Sequence, residues 1–573
     1  MSFLLRRRGF MALEQLKVKE IVQRAVNKEI DVPEFQRDFI WDPEQVKLLA
    51  ESLYREYPVG SFLLWDSSAY REAKIAEGAK SSSWIVDGQQ RTTALCILFG
   101  EKPYWWPSSA DWNKTLARYD VMVNLLTDGD VRLEFALSNP IREKDPRWMS
   151  LREILSKEKV EEFTKLAQER VGQLASSPSQ AMELFAKIHA NMQRLWQIRD
   201  MEIPIIKISH EVEDVAEIFA RLNQAGTRVK EADVVLALAA VYNPGWVREH
   251  YIPFRNDLDE RGWDLDAGIF IRTMTGIGYG RARLVEVPKG FWDQSNLPGV
   301  WAKTRDAISE VIKRLAEYGI MSSELLPSAN ALIPLFVLHA KWSKEKEYSF
   351  GKALWWFLMA SRDGRYSGSA ITSLNEDVKA INEASSFDAA LSNLLQRLHV
   401  QQKIDPTEFL NRYDRKGNQF LRLMLYLILF KNNARDWVDK TRIGYDKTGS
   451  PITSGFQPQW HHIYPQNLLN KNGLPIDDIH ALANITVLNE RTNVSRLSGK
   501  PPWKYVLEYN ISRGELDEHF IPSAFADASA GREIVEKSWG KEDLKQVYGD
   551  FVLKRAEFLA KAANEFLLIL QKD

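Results

Sequence analysis

The run Trp460-His461-His462-Ile463-Tyr464-Pro465 constrains this chain more than any other stretch. Two adjacent histidines lie ahead of a short apolar strand. A second strand is expected over Ala483-Asn484-Ile485-Thr486-Val487-Leu488, and the polar Asn489-Glu490-Arg491-Thr492-Asn493 reads as the start of a helix. The pattern is a β-hairpin running into a helix, with histidines on the first strand and Asn493 on the helix. Those residue types suit one kind of chemistry. A neutral imidazole beside a water can act as a general base. A second imidazole, with an amide oxygen from the helix, can hold a hard divalent ion next to a phosphate. One such ion is enough if it stabilises the leaving 3′ oxygen.

These residues resemble the HNH, or His-Me finger, nucleases. The resemblance implies that His461 binds metal, in the position that is Asp, Glu or His in the family. It implies that His462 activates water, that Asn484 holds the hairpin together through backbone hydrogen bonds as part of the catalytic set, and that Asn493 is the second metal ligand. The nine-residue step from Asn484 to Asn493 is common in that family. The gap of 22 residues from His462 to Asn484 is longer than in minimal fingers, so Asn467 to Ile479 is expected to be an inserted loop. His480 reads as a loop residue rather than a ligand. Nearby, Arg491, Arg496, Lys500 and Lys504 add positive charge; the first three are candidates for DNA phosphate contact, with ordinary solvated surface as the alternative.

A chain of 573 residues is expected to hold two to four domains. With 45% hydrophobic and 27% charged residues, it has the composition of a globular protein. The longest apolar run, Val234 to Tyr242, is nine residues and too short to cross a bilayer. Arginines follow the apolar patch near Met1, the wrong order for a signal peptide. Cys96 is the one cysteine, which excludes an internal disulfide framework and a multi-cysteine zinc site and fits a reducing cytoplasm. The net charge is -1, so any nucleic-acid surface must be local.

Residues 12–28 read as a helix, and Ile30 to Arg37 as extended because of Pro33. A helix is expected from Pro43 to Tyr57, with Asp42 as N-cap and a stripe of Val46, Leu49, Leu53 and Tyr57. Strands are expected over Ser61 to Trp65 and Trp84 to Val86. After the second comes Asp87-Gly88-Gln89-Gln90-Arg91-Thr92-Thr93, a strand, a glycine turn and a helix start with free backbone N–H groups. Such a start can bind phosphate, Arg91 can add a fork of donors, and Asp87 can hold a ribose or a metal ion. The alternative is that Asp87 only caps the helix and Arg91 lies on the surface. Spacing alone favours that alternative, since no Gly-x-x-x-x-Gly-Lys occurs anywhere in the chain.

Together with Pro33-Glu34-Phe35-Gln36-Arg37, this segment resembles the N-terminal domain of GmrSD-type restriction proteins, which is related to the ParB and sulfiredoxin fold. A third similar segment is Phe219-Ala220-Arg221-Leu222-Asn223-Gln224-Ala225-Gly226-Thr227, followed by Asp233. The resemblance implies nucleotide binding by Gln36, Arg37, Asp87, Gly88, Gln89, Gln90, Arg91, Thr92 and Asn223. The finger is similar to the GmrSD-type C-terminal domain, so both ends come in the expected order.

Further along, Tyr119 to Leu126 and Val131 to Leu137 read as a hairpin around Thr127-Asp128-Gly129-Asp130. Helices are expected from Ser150 to Met201, a strand over Met201 to Ile208, then helices at Asp214 to Asn223 and Lys230 to Val241. Helical periodicity dominates Pro244 to Arg435. A closing helix over 543–571 carries Val552, Leu559, Ala562, Phe566 and Ile569 mostly on one face. Aromatic clusters at Tyr104-Trp105-Trp106 and Trp355-Trp356-Phe357 could stack on bases, but read better as core.

The expected architecture is α+β and mainly helical. It has a ParB/sulfiredoxin-like α/β nucleotide-binding domain at 12–243, a helical middle domain at 244–435, and a ββα-metal HNH domain at 436–573 that ends in the closing helix. The expected function is a nucleotide-regulated, metal-dependent DNA endonuclease or nickase of prokaryotic anti-phage defence, modification-dependent and cytoplasmic. Its expected cofactors are Mg²⁺ or Mn²⁺ and a nucleoside triphosphate (GTP, ATP or CTP). Its expected partners are modified phage or host DNA and the nucleotide, with no membrane; homodimerisation is left open. The rival expectation is a ParB-like nucleotide-switched DNA-binding protein with a non-catalytic finger.

Overall fold

The computed structural model describes residues 11–573 except 33–38, 67–82, 108–109, 128–132, 211–214, 216–217, 219–230, 244, 369, 447 and 453–457. The chain divides into two compact units, Met1–Arg248 and Glu249–Asp573. It is mainly helical with small sheets.

In the first unit a five-stranded mixed sheet runs in the order β1-β8-β3-β4-β2. Its strands are β1 (Met11–Lys17), β2 (Ile30–Asp31), β3 (Phe62–Asp66), β4 (Ser83–Asp87) and β8 (Glu202–Ile208). β3 lies parallel to β8 and antiparallel to β4. Its sequence, Phe62-Leu63-Leu64-Trp65, is apolar throughout because both faces of the sheet are covered. Phe62, Leu64 and Ile85 join the main core with helices α1 (Val18–Val26), α2 (Pro43–Tyr54) and α3 (Gln89–Phe99). Leu63, Trp65 and Val86 turn to the other face, toward Ile208 and Val215. A three-stranded antiparallel sheet, β6-β5-β7, is formed by β5 (Val121–Asn124), β6 (Glu134–Leu137) and β7 (Trp148–Ser150). The expected hairpin over 119–137 corresponds to β5 and β6, although its tip at 128–132 lies outside the described residues.

Three local expectations change. Residues 11–17 are a strand, not the start of a helix: Met11 to Lys17 pairs antiparallel with β8 along its full length, and that pairing outweighs local helical preference. α2 ends at Tyr54, since Glu56 takes φ 54 and the Tyr57 N–H returns to the Ser52 carbonyl, which leaves Tyr57 exposed. The expected helix over 214–223 lies almost wholly outside the described residues, whereas Glu231–Tyr242 is helical.

The second unit is built on long helices. Trp355, Trp356 and Phe357 are buried in the helix Phe350–Asp363, so they are core and not a stacking platform. The closing helix Leu544–Lys572 packs against Phe350–Asp363 and against Gln419–Lys431, and also reaches the turn Leu482–Asn484. Residues on both sides of 436 belong to the compact unit Glu249–Asp573. The buried face of the closing helix includes Tyr548, Arg555, Leu559, Ala563, Phe566 and Leu570, while Ile569 is exposed. Among the described residues, no helix is long and apolar enough to cross a membrane.

Candidate active site

Strands β9 (Gln459–His462) and β10 (Ile485–Leu488) pair antiparallel, with Thr486 opposite His461 and Ile485 opposite His462. The histidines are the last two residues of their strand, and so point to opposite faces of the hairpin. Asn484 closes the open end. Its Oδ1 accepts from the Tyr464 N–H at 2.9 Å, and its Nδ2 donates to the carbonyls of Tyr464 at 3.2 Å and Ile479 at 2.9 Å. A fully buried amide with these three bonds fixes the turn that carries both histidines.

On one face, Nδ1 of His461 lies 2.9 Å from Oδ1 of Asn493. Asn493 sits in a π-helical turn, Arg491–Arg496, instead of the expected regular helix start. Turns of this kind displace side chains from the α-helical path. His461 is 4% exposed, and its Nε2 is buried without a hydrogen-bond partner. Burial pushes its pKa down to about 4, so the ring is neutral at physiological pH. An amide oxygen can only accept, so Nδ1 carries the proton.

The π-helical turn is itself anchored. Buried Asp436 accepts from the Thr492 hydroxyl at 2.7 Å and the Asn489 N–H at 2.8 Å. Beneath β10, Nδ1 of His519 accepts a hydrogen bond from the Thr486 hydroxyl at 2.6 Å, and its Nε2–H donates to the Arg435 carbonyl at 2.7 Å. Burial holds the His519 pKa down to about 3. Arg555, fully buried on the closing helix, donates to the carbonyls of Ala483 at 2.8 Å and Ile485 at 2.7 Å and also to that of His519. These supports have no motif of their own, and the sequence reading missed them. They act at the hairpin only through long-range contacts.

His462 faces differently. Its Nε2 lies 3.1 Å from Nδ1 of His480, and the ring of Tyr413 meets both imidazoles at 5.5 Å and 5.8 Å. Burial, followed by the neighbouring His480 and His461, lowers the His462 pKa to about 4. His480 lies in the turn after the helix Ile476–Ile479, as a loop residue, with its ring packed against His462. The expected inserted loop 467–479 contains two short helices, Gln466–Lys471 and Ile476–Ile479, and the second delivers His480.

Of the expected phosphate contacts, Arg491 and Arg496 are exposed and carry no ion pair among the described residues. Lys500 is engaged, at 2.6 Å from Glu508 and 3.2 Å from the Tyr509 hydroxyl.

In the first unit, Asp87 ends β4, Gly88 follows with φ 108, and α3 begins at Gln89. A Cβ on Gly88 would meet Cδ1 of Phe62 at 2.5 Å, so the turn needs glycine. Asp87 does not cap α3, because Gly88 occupies the N-cap. Its carboxylate instead accepts from Arg91 at 2.8 Å. Arg91 is not a surface residue: it also donates to the Val59 carbonyl at 2.7 Å and lies over the ring of Phe62. Thr92 is buried and donates to the Gly88 carbonyl, while Gln90 Oε1 accepts from the Ile40 N–H. The expected residues Gln36, Arg37 and Asn223 lie outside the described residues.

Residues 18–240 match the family model of the GmrSD restriction endonuclease, N-terminal domain, so this part of the chain is similar to a restriction-endonuclease domain. The chain is also similar to an uncharacterized protein of Methanocaldococcus jannaschii, MJ0686, at 21% identity over 96% of this chain and 98% of the relative.

Proposed function

We propose that the chain is a metal-dependent DNA endonuclease or nickase of prokaryotic anti-phage defence, of the type IV, modification-dependent kind, with an HNH finger at its C-terminal end and a ParB/sulfiredoxin-like nucleotide-binding domain at its N-terminal end. The observation that carries this reading is the pairing of His461 with Asn493 on a hairpin pinned by Asn484, with neutral His462 as the next residue. His461 and Asn493 would hold the ion. The 2.9 Å between Nδ1 of His461 and Oδ1 of Asn493 is a hydrogen bond here, so holding the ion through Nδ1 would require the proton to move to Nε2, the nitrogen without a partner. Among the described residues there is no cluster of three or more His, Cys, Asp or Glu that could hold a metal. This pair suits a hard ion that keeps several waters and takes its remaining ligands from phosphate.

When bound, Mg²⁺ or Mn²⁺ supplies charge stabilisation for the scissile phosphate and the departing 3′ oxygen. His462 takes the proton of the attacking water, Asn484 keeps the hairpin ends in register, and Arg491 and Arg496 meet neighbouring DNA phosphates. The N-terminal unit binds and hydrolyses a nucleoside triphosphate at the Asp87–Thr92 turn, together with Gln36, Arg37 and Asn223. Support comes from the strand–glycine–helix geometry and from the similarity of residues 18–240 to the GmrSD domain.

The test is incubation of plain, hydroxymethylated, glucosylated and phosphorothioated DNA with Mg²⁺ or Mn²⁺ and each triphosphate. Metal-dependent cutting of one modified substrate, altered by one nucleotide, is the expected result. Cutting at full rate in a chelator would exclude the metal-dependent finger. Nucleotide-dependent DNA binding that leaves every substrate whole would favour a switched DNA-binding protein.

A further inference from the structure

His462 and His480 put two ring nitrogens face to face at 3.1 Å. Two lone pairs at that distance repel, and two N–H groups clash, so a neutral pair holds one proton between them. Whichever ring carries that proton has its other nitrogen left as the basic one, because each neutral imidazole has a single N–H. The position of this proton therefore decides whether Nδ1 of His462 can receive a proton from water.

The surroundings set the direction. His480 is 8% exposed and held firmly: its N–H donates to the Ile476 carbonyl at 3.1 Å, and its own carbonyl accepts from the Tyr413 N–H at 2.9 Å. Nε2 of His462 is taken up by His480, so water can meet only Nδ1 of His462. A His462 that serves as general base through Nδ1 must carry its single proton on Nε2, which makes His480 the acceptor.

We infer that His480 is a positioning residue for His462: it accepts the Nε2–H of His462, and so leaves Nδ1 as the nitrogen that takes the proton. The inference rests on the reading of His462 as general base. It assigns the second short helix of the insert a task, which is to deliver that acceptor. Tyr413 completes the arrangement by packing on both rings, which restricts their rotation.

The experiment uses the full-length, metal-free chain with ¹⁵N-labelled histidine. Long-range ¹H–¹⁵N spectra report which nitrogen of each ring is protonated, with no cleavage involved. The wild-type protein should show His462 as the Nε2–H tautomer, and His480→Ala should show a mixture. In plasmid nicking with Mg²⁺, His480→Ala should lower kcat about 10- to 100-fold, as expected for loss of a partner that orients an imidazole, with KM unchanged. His480→Asn should restore most of that loss, because its Oδ1 stands where Nδ1 stood and can only accept. An Nδ1–H tautomer of His462 in the wild type overturns the inference, and so does unchanged kcat in both variants. A loss in His480→Ala that His480→Asn leaves unrepaired makes His480 merely structural and overturns it too. Failure of the nuclease reading looks different: there His462→Ala cuts as well as the wild type, whatever the tautomer of His462.

Discussion

The turn after β4 and the hairpin of β9 and β10 both carry polar residues that look like ligand chemistry in sequence, yet they differ in how those residues are satisfied. At the first turn the charges answer one another: Arg91 meets Asp87 and the Val59 carbonyl, Thr92 meets Gly88, and Gln90 meets Ile40. At the hairpin a buried imidazole has one nitrogen without a partner and the other against an amide oxygen. An unsatisfied polar atom in a low-dielectric site costs about 1–3 kcal/mol, a cost that a bound ligand atom would offset. Buried N–H groups such as those of Trp342 and Trp356 are orphaned too, so it is the company of His462, Asn484 and Asn493 that makes the orphan at His461 a guide to chemistry.

The sharpest break of this comparison is His462→Ala. Loss of a general base should lower cleavage about 10²- to 10⁴-fold, with melting temperature and DNA affinity nearly unchanged. By contrast, Arg91→Ala should abolish triphosphate hydrolysis and leave the metal affinity of the finger as it was. Undiminished cutting by His462→Ala in a nicking assay would remove the catalytic half of the comparison.

Acid should weaken the hairpin. His461 and His462 have pKa values held down to about 4 and His519 to about 3, and His480 is shifted the same way. A histidine lowered in the folded state binds its proton first in the unfolded chain, where its pKa is about 6.5. Its contribution to stability is therefore complete above pH 6.5 and is lost as pH falls toward the folded value. With three protons taken up on unfolding, stability of the second unit should fall by about 4 kcal/mol per pH unit between roughly pH 6 and 4.5. Urea unfolding followed by tryptophan fluorescence measures this slope. His519→Gln should reduce it by one proton, and a slope unchanged in that variant would contradict the assignment.

Metal binding is the next test. His461→Ala and Asn493→Ala should each weaken Mn²⁺ binding by about 10- to 100-fold in calorimetry, and excess metal should recover part of the cutting. Equal Mn²⁺ affinity in wild type and both variants would place the ion elsewhere.

How much of this was legible beforehand follows from the range of the interactions. The hairpin strands, the helix cap at Asp42 and the closing helix were readable because period, capping and turn chemistry are local. Strand β1 was misread because its reason is β8, nearly two hundred residues away. In the site, His461, His462, Asn484 and Asn493 were readable as a spaced set. His480, Tyr413, Asp436, His519 and Arg555 were not, since each acts through a partner that spacing alone does not reveal. His480 offered the only local signal, a third histidine within the same finger.

The smallest effect should come from the cations, and it extends the comparison to the protein surface. A cation that contacts phosphate releases a counterion, and each lost contact lowers the slope of log affinity against log salt by about 1. Arg491 and Arg496 are exposed and unpaired among the described residues, so Arg491→Ala and Arg496→Ala should each show that reduction in fluorescence anisotropy between 50 and 200 mM salt. Lys500 resembles Arg91 rather than these two, since Glu508 and the Tyr509 hydroxyl already hold its ammonium. Lys500→Ala should leave the salt slope as it is. It frees the half-exposed carboxylate of Glu508, whose repulsion is screened within a Debye length of about 8–10 Å at these salt concentrations. Affinity should then drop only slightly, and the double variant Lys500→Ala, Glu508→Ala should recover it. A slope reduced as much by Lys500→Ala as by Arg496→Ala would mean that DNA pulls this ion pair apart, and that a satisfied cation can serve as a contact after all.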